Sequence, residues 1–235
     1  MLGADSVELR RAGYVMVLCD THDQPALQDE YLLDMRAQYA YGLVLLGAVR
    51  SPQLESFGAA GERIVFVNRR NPFGERCHVG IDNRAAGVEV ARWLAQQGHR
   101  HIGLIHGRLS SSATADRVAG FRGELRRRRI GLPADRSATS RSTDHLEIGY
   151  QGMSKLLARP QPPRAVFCTS DLIAYGAQRR AGEAGLDPER DIVFVGFDDS
   201  PLNPWVAPWL NAVRVPYAEY GEAIVRSLSG TAADI

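Results

Sequence analysis

The chain has 235 residues, of which 45% are hydrophobic and 23% are charged, and its formal net charge is +1 at pH 7. This length and composition are those of a globular protein with a well-buried core. A net charge so close to zero argues against nucleic acid or an anionic membrane as a direct electrostatic partner of this chain.

Seven short apolar runs, rich in β-branched residues, predict strands along the chain. Most of them are continuously apolar rather than alternating, which is typical of strands buried on both faces of a sheet. In chain order they are residues 15–20, 42–48, 63–68, 101–107, 165–169, 192–197 and 211–215. Helical patterns lie between them, and this alternation predicts parallel sheets built from right-handed βαβ units.

Two of the helical patterns have recognisable ends. The segment NRAAGVEVARWLAQQGH follows a candidate cap at Asp82 or Asn83 and stops at Gly98. The segment DLIAYGAQRRAGEAGL begins at Asp171, which we interpret as the N-cap, and ends at Gly185. Short polar residues at a helix start and glycine just past its end are the usual boundary signals.

A boundary between two α/β lobes is predicted near residues 77–83. We assign residues 1–81 and 214–235 to an N-terminal-type lobe and residues 82–213 to a C-terminal-type lobe. The predicted fold class is α/β, with two Rossmann-like lobes, parallel sheets and a ligand cleft between the lobes. Ligands of open parallel sheets bind at the carboxyl ends of the strands, so polar residues at those ends are the first candidates.

Several hydrogen-bonding residues stand at those predicted ends. With Arg117 of the segment ADRVAGF they suit a polyhydroxyl or heterocyclic ligand, because carboxylates and amides accept hydrogen bonds and guanidinium donates them. Phe73, Trp205 and Tyr217 would add a flat apolar wall. The strand-end residues are Asp20, Gly47, Asn68, Gly107, Arg108, Ser170, Asp171, Asp198 and Asp199.

Structural roles stay open for some of these residues. Asp199 can cap the turn DSPLNP, and Asp198 is open between a capping role and a ligand-binding role. Arg117 can be an ordinary surface residue of its helix. Trp205 and Trp209 flank Pro208, and an aromatic–proline cluster of this kind often packs internally or forms an interface.

No motif for catalysis, metal binding or a nucleotide cofactor is present. The sequence has no G-x-S-x-G, H-E-x-x-H, G-x-x-x-x-G-K-[ST] or G-x-G-x-x-G segment. His101 and His106 lie at opposite ends of a predicted strand, about 15 Å apart. Cys19, Cys77 and Cys168 lack metal-ligand spacing, and Cys19 and Cys168 lie in apolar runs, which predicts buried free thiols. We predict no catalytic residue, no metal and no cofactor.

Targeting signals are also missing from the sequence as given. No apolar run approaches the roughly 20 residues of a membrane-spanning helix. The opening segment MLGADSVELRRAGY is polar and lacks the apolar core of a signal peptide. We therefore expect a cytoplasmic protein without a membrane partner.

Four segments together resemble the effector-binding domain of LacI/GalR-type bacterial transcription regulators. They are VGIDNRAAGVEVARWLAQQGHRHIGLIHG, RVAGF, FCTSDLIAYGAQRRAGEAGLDPERDIVFVGFDDSP and PWLNAVRVP. Their order and spacing match over nearly the whole chain, from about Gly13 to about Leu228. The resemblance implies the two-lobed periplasmic-binding-protein-like fold.

The resemblance also implies which residues bind the effector. Asp198, the first aspartate after the Gly–aromatic pair, would hold the effector, and Arg117 is the arginine of the R-x-x-G-aromatic motif. Asn68 ends the strand before the first crossover, and Tyr217 falls at a wall position. Ser170 stands where the family usually has Asn, and its shorter side chain departs from the family pattern.

The implied function is effector sensing, in which a small polar ligand would modulate operator binding by a homodimer. A neutral sugar suits the residues best, and a purine-like ligand stays open. The DNA would be contacted only through a headpiece that this sequence does not contain. One alternative is a solute-binding protein of a sugar transporter or chemoreceptor, which shares the fold. The other is an enzyme built on an α/β sheet, for which no activated nucleophile or base is recognisable.

Overall fold

The computed structural model describes residues 2–74 and 77–230. The chain divides into two compact units, the first made of Met1–Ile81 with Pro216–Ile235 and the second of Asp82–Val215. Unit 1 opens with α1 (Leu2–Arg11), α2 (Pro25–Ala37), β1 (Leu43–Leu45), α3 (Pro52–Ala59), β2 (Ile64–Val67) and β3 (His78–Val79). Unit 2 follows with α4 (Asn83–Gln96), β4 (Ile102–Ile105), α5 (Ser112–Arg127), a 3-10 turn (Ala134–Arg136), β5 (Ser137–Ala138), α6 (His145–Leu157), β6 (Ala165–Cys168), α7 (Asp171–Glu183), β7 (Val193–Asp198), α8 (Asn203–Val206) and β8 (Asn211–Arg214). The chain returns to unit 1 with α9 (Tyr217–Ser229).

The described part of unit 1 contains a three-stranded sheet in which β2 lies between β1 and β3, with both pairs parallel. Every residue of β2 is buried. Helices α2 and α3 each begin with a proline, whose missing N–H costs nothing at a first helical position. Leu32 and Phe57 of these helices pack with Phe66 of β2 in the core of the unit.

The strand predicted at residues 15–20 is wrong. This segment has no strand conformation, and Val15, Val17 and Leu18 are 92%, 66% and 61% exposed. Cys19 is consequently only half-buried, whereas Cys168 is fully buried as predicted. A strand is stabilised by hydrogen bonds to a neighbour, and no strand pairs with residues 15–20 among those the structure describes. Asp20 is therefore not the end of a strand.

Unit 2 contains a five-stranded sheet of order β5-β4-β6-β7-β8, and all its described strand pairs are parallel. All residues of β4 and β6 are buried. Phe121 of α5 stacks on Phe167 of β6 with ring centroids 4.8 Å apart. Cys168, the next residue along β6, packs instead in the core cluster that contains Ile148 of α6 and Ile173 of α7. Because successive side chains of a strand point to opposite faces, helices cover this sheet on both sides.

In unit 2, α4 packs closely against α5, and α6 packs closely against α7. A Cβ on Gly120 of α5 would lie 2.0 Å from the carbonyl oxygen of Arg84 in α4. A Cβ on Gly176 of α7 would lie 1.9 Å from the carbonyl oxygen of Leu146 in α6. The backbones can approach this closely only because the two positions lack side chains.

The α/β class with two parallel sheets is confirmed, and six of the seven predicted strands are present within a few residues of their predicted bounds. The predicted cap Asp82 accepts a hydrogen bond from the Ala85 amide at 2.8 Å. Two short strands, β3 and β5, carry no apolar run long enough to predict them. Within the described ranges, no helix combines the length and the apolar character that crossing a membrane requires.

Candidate functional site

The carboxyl ends of the central strands of unit 2 form one edge of its sheet. Ile105 at the end of β4 lies beside Cys168 at the end of β6, and β7 runs parallel on the far side of β6. The Gly107 amide donates to Thr169 Oγ1 at 3.2 Å, which links the first residues beyond β4 and β6. The parallel register therefore brings together the polar residues that follow three strands.

Arg117 reaches this edge from α5 and is only 8% exposed. Its Nε donates to Asn83 Oδ1 at 2.8 Å, and its Nη1 donates to the Thr169 carbonyl oxygen at 2.8 Å. The guanidinium carbon lies 3.4 Å from the centroid of the Phe197 ring, a cation–π contact with β7. The interpretation of Arg117 as a surface helix residue is thus wrong. It is a fixed cation at the ends of β6 and β7.

Ser170 caps α7, and the predicted cap Asp171 is the first residue inside the helix. Ser170 Oγ accepts a hydrogen bond from the Ile173 amide at 3.3 Å. Ser170 Oγ also lies 3.0 Å from Nδ1 of His145. The sequence favoured Asp171 because aspartate and serine are about equally good caps and the two residues are adjacent.

His145 is a polar residue of this edge that sequence reasoning missed. It is the first residue of α6, directly after the cap Asp144, whose carboxylate accepts from the Leu146 amide. A Cβ placed on Gly107 would lie 3.8 Å from His145 Nε2 and 3.8 Å from Thr114 Oγ1. The histidine and threonine side chains therefore converge on Gly107. The available signal was a histidine at a helix start that follows a sheet strand.

Asp198 and Asp199 form a strained turn at the end of β7. Their φ angles are +108° and +54°, in the region that side-chain-bearing residues rarely adopt. Asp199 Oδ2 accepts from Arg214 Nε at 2.7 Å in a surface ion pair, since the Arg214 side chain is 83% exposed. The Val215 amide donates to the Asp198 carbonyl oxygen at 3.3 Å. Asp199 thus has a structural partner at the surface.

Asp171 links α7 to the segment after β7. Its Oδ2 accepts from the Ser200 amide at 2.8 Å and from Asn203 Nδ2 at 3.0 Å. Burial raises the pKa of the Asp171 carboxyl to about 6, and the charges of Asp198 and Asp199 act in the same direction. The two hydrogen bonds lower the pKa but do not offset burial.

The predicted site residues of unit 1 lie at element ends. Asn68 follows β2 with φ +63°, and its backbone N–H donates to the Val79 carbonyl oxygen at 3.0 Å. Tyr217 is the first residue of α9, and its ring meets that of Tyr220 edge-on at 5.4 Å. Phe73, predicted as part of a ligand wall, packs against the core of unit 1 beneath the guanidinium of Arg50, 4.5 Å from its ring centroid.

The two tryptophans beside Pro208 have different environments. Trp209 packs edge-on against Phe194 with ring centroids 5.6 Å apart. Trp205 is 84% exposed, and its neighbours Leu202 and Val206 are exposed too. The packing interpretation therefore holds for Trp209 alone.

The histidines that flank β4 have ordinary hydrogen-bond partners. His101 Nε2 lies 2.7 Å from the Gln161 carbonyl oxygen, and the buried His106 has Nδ1 2.8 Å from the Gly107 carbonyl oxygen. Burial lowers the pKa of His106. Among the described residues, no group of three or more His, Cys, Asp or Glu side chains is placed to hold a metal ion.

A cavity of about 410 Å³ lies at the opposite, amino-terminal edge of the same sheet. Leu157, Pro163 and Leu186 line it together with Arg180 and Asp191. It contains none of the residues described above, and the convergent, partly buried polar groups that orient ligands lie at the carboxyl edge. Chemistry therefore favours the carboxyl edge as the candidate site.

Comparison with known proteins identifies the family to which the chain belongs. Residues 91–232 match the family model described as a periplasmic binding protein-like domain. The HTH-type transcriptional repressor CytR of Escherichia coli K12 is 32% identical over 215 residues, which cover 89% of this chain and 61% of that protein. The HTH-type transcriptional repressor PurR of Klebsiella pneumoniae is 29% identical over 219 residues, 92% of this chain and 64% of that protein. The chain thus spans less than two thirds of either relative.

Solved structures give the same result for the fold. A regulatory protein of the LacI family from Chloroflexus aggregans superimposes with a TM-score of 0.80 and 25% identity, covering 97% of this chain and 83% of that one. The transcription regulator CcpA of Lactococcus lactis superimposes with a TM-score of 0.86 and 19% identity over 97% of this chain and 83% of its own. At that identity the second likeness concerns the fold alone.

Proposed function

Because the chain belongs to the periplasmic binding protein-like domain family, we propose that it is the effector-sensing domain of a LacI-type transcription regulator. The observation that carries this proposal is the fixed guanidinium of Arg117 at the carboxyl edge of unit 2, held by Asn83 and the Thr169 carbonyl. The similarity of the chain to the transcriptional repressors CytR and PurR supports the regulatory role.

We propose that Arg117 and Asp198 of unit 2 and Asn68 and Tyr217 of unit 1 contact the effector. Ser170 belongs to the same set, and we expect its contact to contribute less because its hydroxyl already caps α7 and contacts His145. The mixture of guanidinium, carboxylate, amide and hydroxyl groups suits a small neutral polyhydroxyl molecule, so a sugar fits better than a purine. No residue of this set is assigned a catalytic role.

A ligand of this kind acts as a signal only if it binds one conformation of the protein more tightly than another. We propose that the effector shifts the two units toward its preferred state and that a homodimer transmits the change. Operator binding would then be modulated through a DNA-binding segment outside this sequence, with the two copies contacting two half-sites.

A thermal-shift screen tests the proposal. The purified chain is heated with sugars, sugar phosphates, nucleobases and nucleosides, and an effector at about a hundredfold excess over its Kd adds about 2.7 kcal/mol of stability. Asp198→Asn should weaken binding by about 1–3 kcal/mol, because it removes a charged acceptor. Asp199→Asn is the matched control, since Asp199 is paired with Arg214 at the surface.

Three results would count against the proposal. A hit whose melting shift is equal in wild type and Asp198→Asn removes Asp198 from the site. Equal losses in Asp198→Asn and Asp199→Asn would mean that the turn, and not one carboxylate, matters. A panel without any hit removes support for effector sensing by this chain.

A further inference from the structure

The carboxylate of Asp171 serves the loop beyond β7 rather than its own helix. Ser170 already caps α7, and Asp171 is 3% exposed. Its Oδ2 binds the Ser200 amide and the side chain of Asn203, both of which follow the strained Asp198–Asp199 turn. We propose that Asp171 is a positioning residue that holds this turn so that Asp198 can contact the effector, an inference that rests on the proposed function.

The turn requires an anchor because its backbone is strained. Two successive residues with side chains hold positive φ, and such conformations persist only where the surroundings enforce them. Asp171 fixes Ser200, the next residue, from a buried position. The ion pair of Asp199 with Arg214 lies at the surface, where water and salt weaken it. The buried bond is therefore the stronger restraint.

Asn203 provides a second link between Asp171 and the segment after β7. Tyr175, one turn along α7 from Asp171, donates its hydroxyl to Asn203 Oδ1 at 2.5 Å. That bond orients the Asn203 amide so that its Nδ2 donates to Asp171 at 3.0 Å. Asn203 is itself 5% exposed. Asp171 and Tyr175 of α7 thus bind Ser200 and Asn203 of the segment after β7. These bonds fix the position of that segment relative to α7.

Gly196 on β7 makes room for this arrangement. A Cβ at position 196 would lie 2.4 Å from Asp171 Oδ1, so any side chain there would displace the carboxylate. The glycine of the segment VGFDD is therefore coupled to Asp198, two residues further along the same strand. Any residue other than glycine at 196 would disturb the anchor and the turn together.

The arrangement is costly for folding, which points to a role in the site. Asp171 Oδ1 is buried and has no hydrogen-bond partner among the described residues. A buried acceptor without a donor destabilises a protein, and burial raises the pKa of this carboxyl to about 6. Carboxyl groups with such shifted pKa values cluster at functional sites.

Amide exchange measured by NMR tests the anchor without a ligand. In Asp171→Ala the Ser200 amide loses its acceptor and should exchange at least about tenfold faster than in wild type. Asp171→Asn keeps an acceptor oxygen and should stay within about threefold of wild type. Asp187→Ala is the control, because it removes a comparable carboxylate acceptor, that of the Glu189 amide, from the loop before β7 without touching the turn.

Calorimetric titration with D-ribose and with adenosine tests the consequence for binding. For whichever compound wild type binds, Asp171→Ala should lose about tenfold or more in affinity, while Asp187→Ala is unchanged. If Asp171→Ala does not fold, Asn203→Ala takes its place, with about a threefold loss expected because one of the two donors remains. Recovery of affinity in Asp171→Asn distinguishes positioning from a requirement for charge.

Two results would overturn the inference. One is an unchanged Ser200 exchange rate in Asp171→Ala. The other is faster exchange with full affinity retained, which would leave Asp171 a purely structural role. If wild type binds neither compound, the proposed function loses support, whereas the exchange result still decides whether Asp171 anchors the turn.

Discussion

Unit 2 and unit 1 start from the same sequence pattern, short apolar runs alternating with helices, but the two use it differently. In unit 2 every predicted strand joins one five-stranded sheet covered on both faces. In unit 1 the described sheet has three strands, and the apolar run at 15–20 is exposed. An apolar run thus indicates the capacity to form a strand, and pairing with a neighbour decides whether the strand forms.

The polar side chains at the carboxyl edge of unit 2 are preorganised. Arg117, Ser170 and Asp171 are each held by a hydrogen bond to a residue of another element. Preorganised side chains lose less entropy on binding, so we expect this edge to contribute to ligand specificity.

The largest expected effect on stability comes from truncating a buried apolar residue of unit 2, in contrast to an exposed apolar residue of unit 1. Phe167→Ala leaves a cavity beneath Phe121 in unit 2 and should lower the free energy of unfolding by about 3–5 kcal/mol. Val15→Ala, at a position 92% exposed, should change it by less than about 0.5 kcal/mol. Urea denaturation measures both. A loss above about 1 kcal/mol for Val15→Ala would mean that this segment is packed in solution.

The next effect is the pH dependence caused by Asp171. Its pKa is raised from the ordinary 3.8 to about 6, so the folded state holds the proton more tightly than the unfolded state. The group therefore favours folding most at low pH, and about 2–3 kcal/mol of this contribution is lost as the pH rises from about 4 to about 7. Urea melts of wild type and Asp171→Asn over this range should diverge by that amount. Parallel curves would contradict the assigned burial of the carboxylate.

The smallest effect concerns the helix contact that places Arg117. Gly120→Ala puts a methyl group 2.0 Å from the Arg84 carbonyl oxygen and should cost about 1–3 kcal/mol of unfolding free energy. Gly123→Ala, on the same helix with nothing within 4 Å, should instead stabilise by about 0.5–1 kcal/mol. Equal effects of the two substitutions would show that α4 and α5 do not cross at Gly120.

Most of the fold was predictable because strands buried in a parallel sheet are continuously apolar and rich in β-branched residues. The runs around β4, β6 and β7 are continuously apolar, and the cap of α4, which the sequence left open between Asp82 and Asn83, is Asp82. The run at 15–20 carries the same signal, and only knowledge of its neighbours could show that it is unpaired. The short strands β3 and β5 consist of two residues each, too few to form a pattern.

The sequence predicted several of the residues that stand at the carboxyl edge of unit 2, but it did not predict the hydrogen bonds that hold them. Arg117 and Asp198 follow from motif and strand end, whereas the bonds of Arg117 to Asn83 and Thr169 depend on the crossing of α4 and α5. The exchange of roles between Ser170 and Asp171 follows from a loop 29 residues further along the chain, which supplies the Ser200 amide. His145 could not be predicted as part of this edge, because only the fold brings the start of α6 close to Gly107 beyond β4.

The most direct test is an NMR map of the effector's contacts on unit 2. A compound that raises the melting temperature is titrated into isotope-labelled protein, and the shifted backbone amides are assigned. We predict that the largest shifts within unit 2 occur at Asp198, at Ser170 and at Thr169, whose carbonyl oxygen holds the Arg117 side chain at the carboxyl edge of the sheet. Shifts confined to the cavity at the opposite edge, around Leu157, Arg180 and Leu186, would contradict the account and place ligand binding elsewhere.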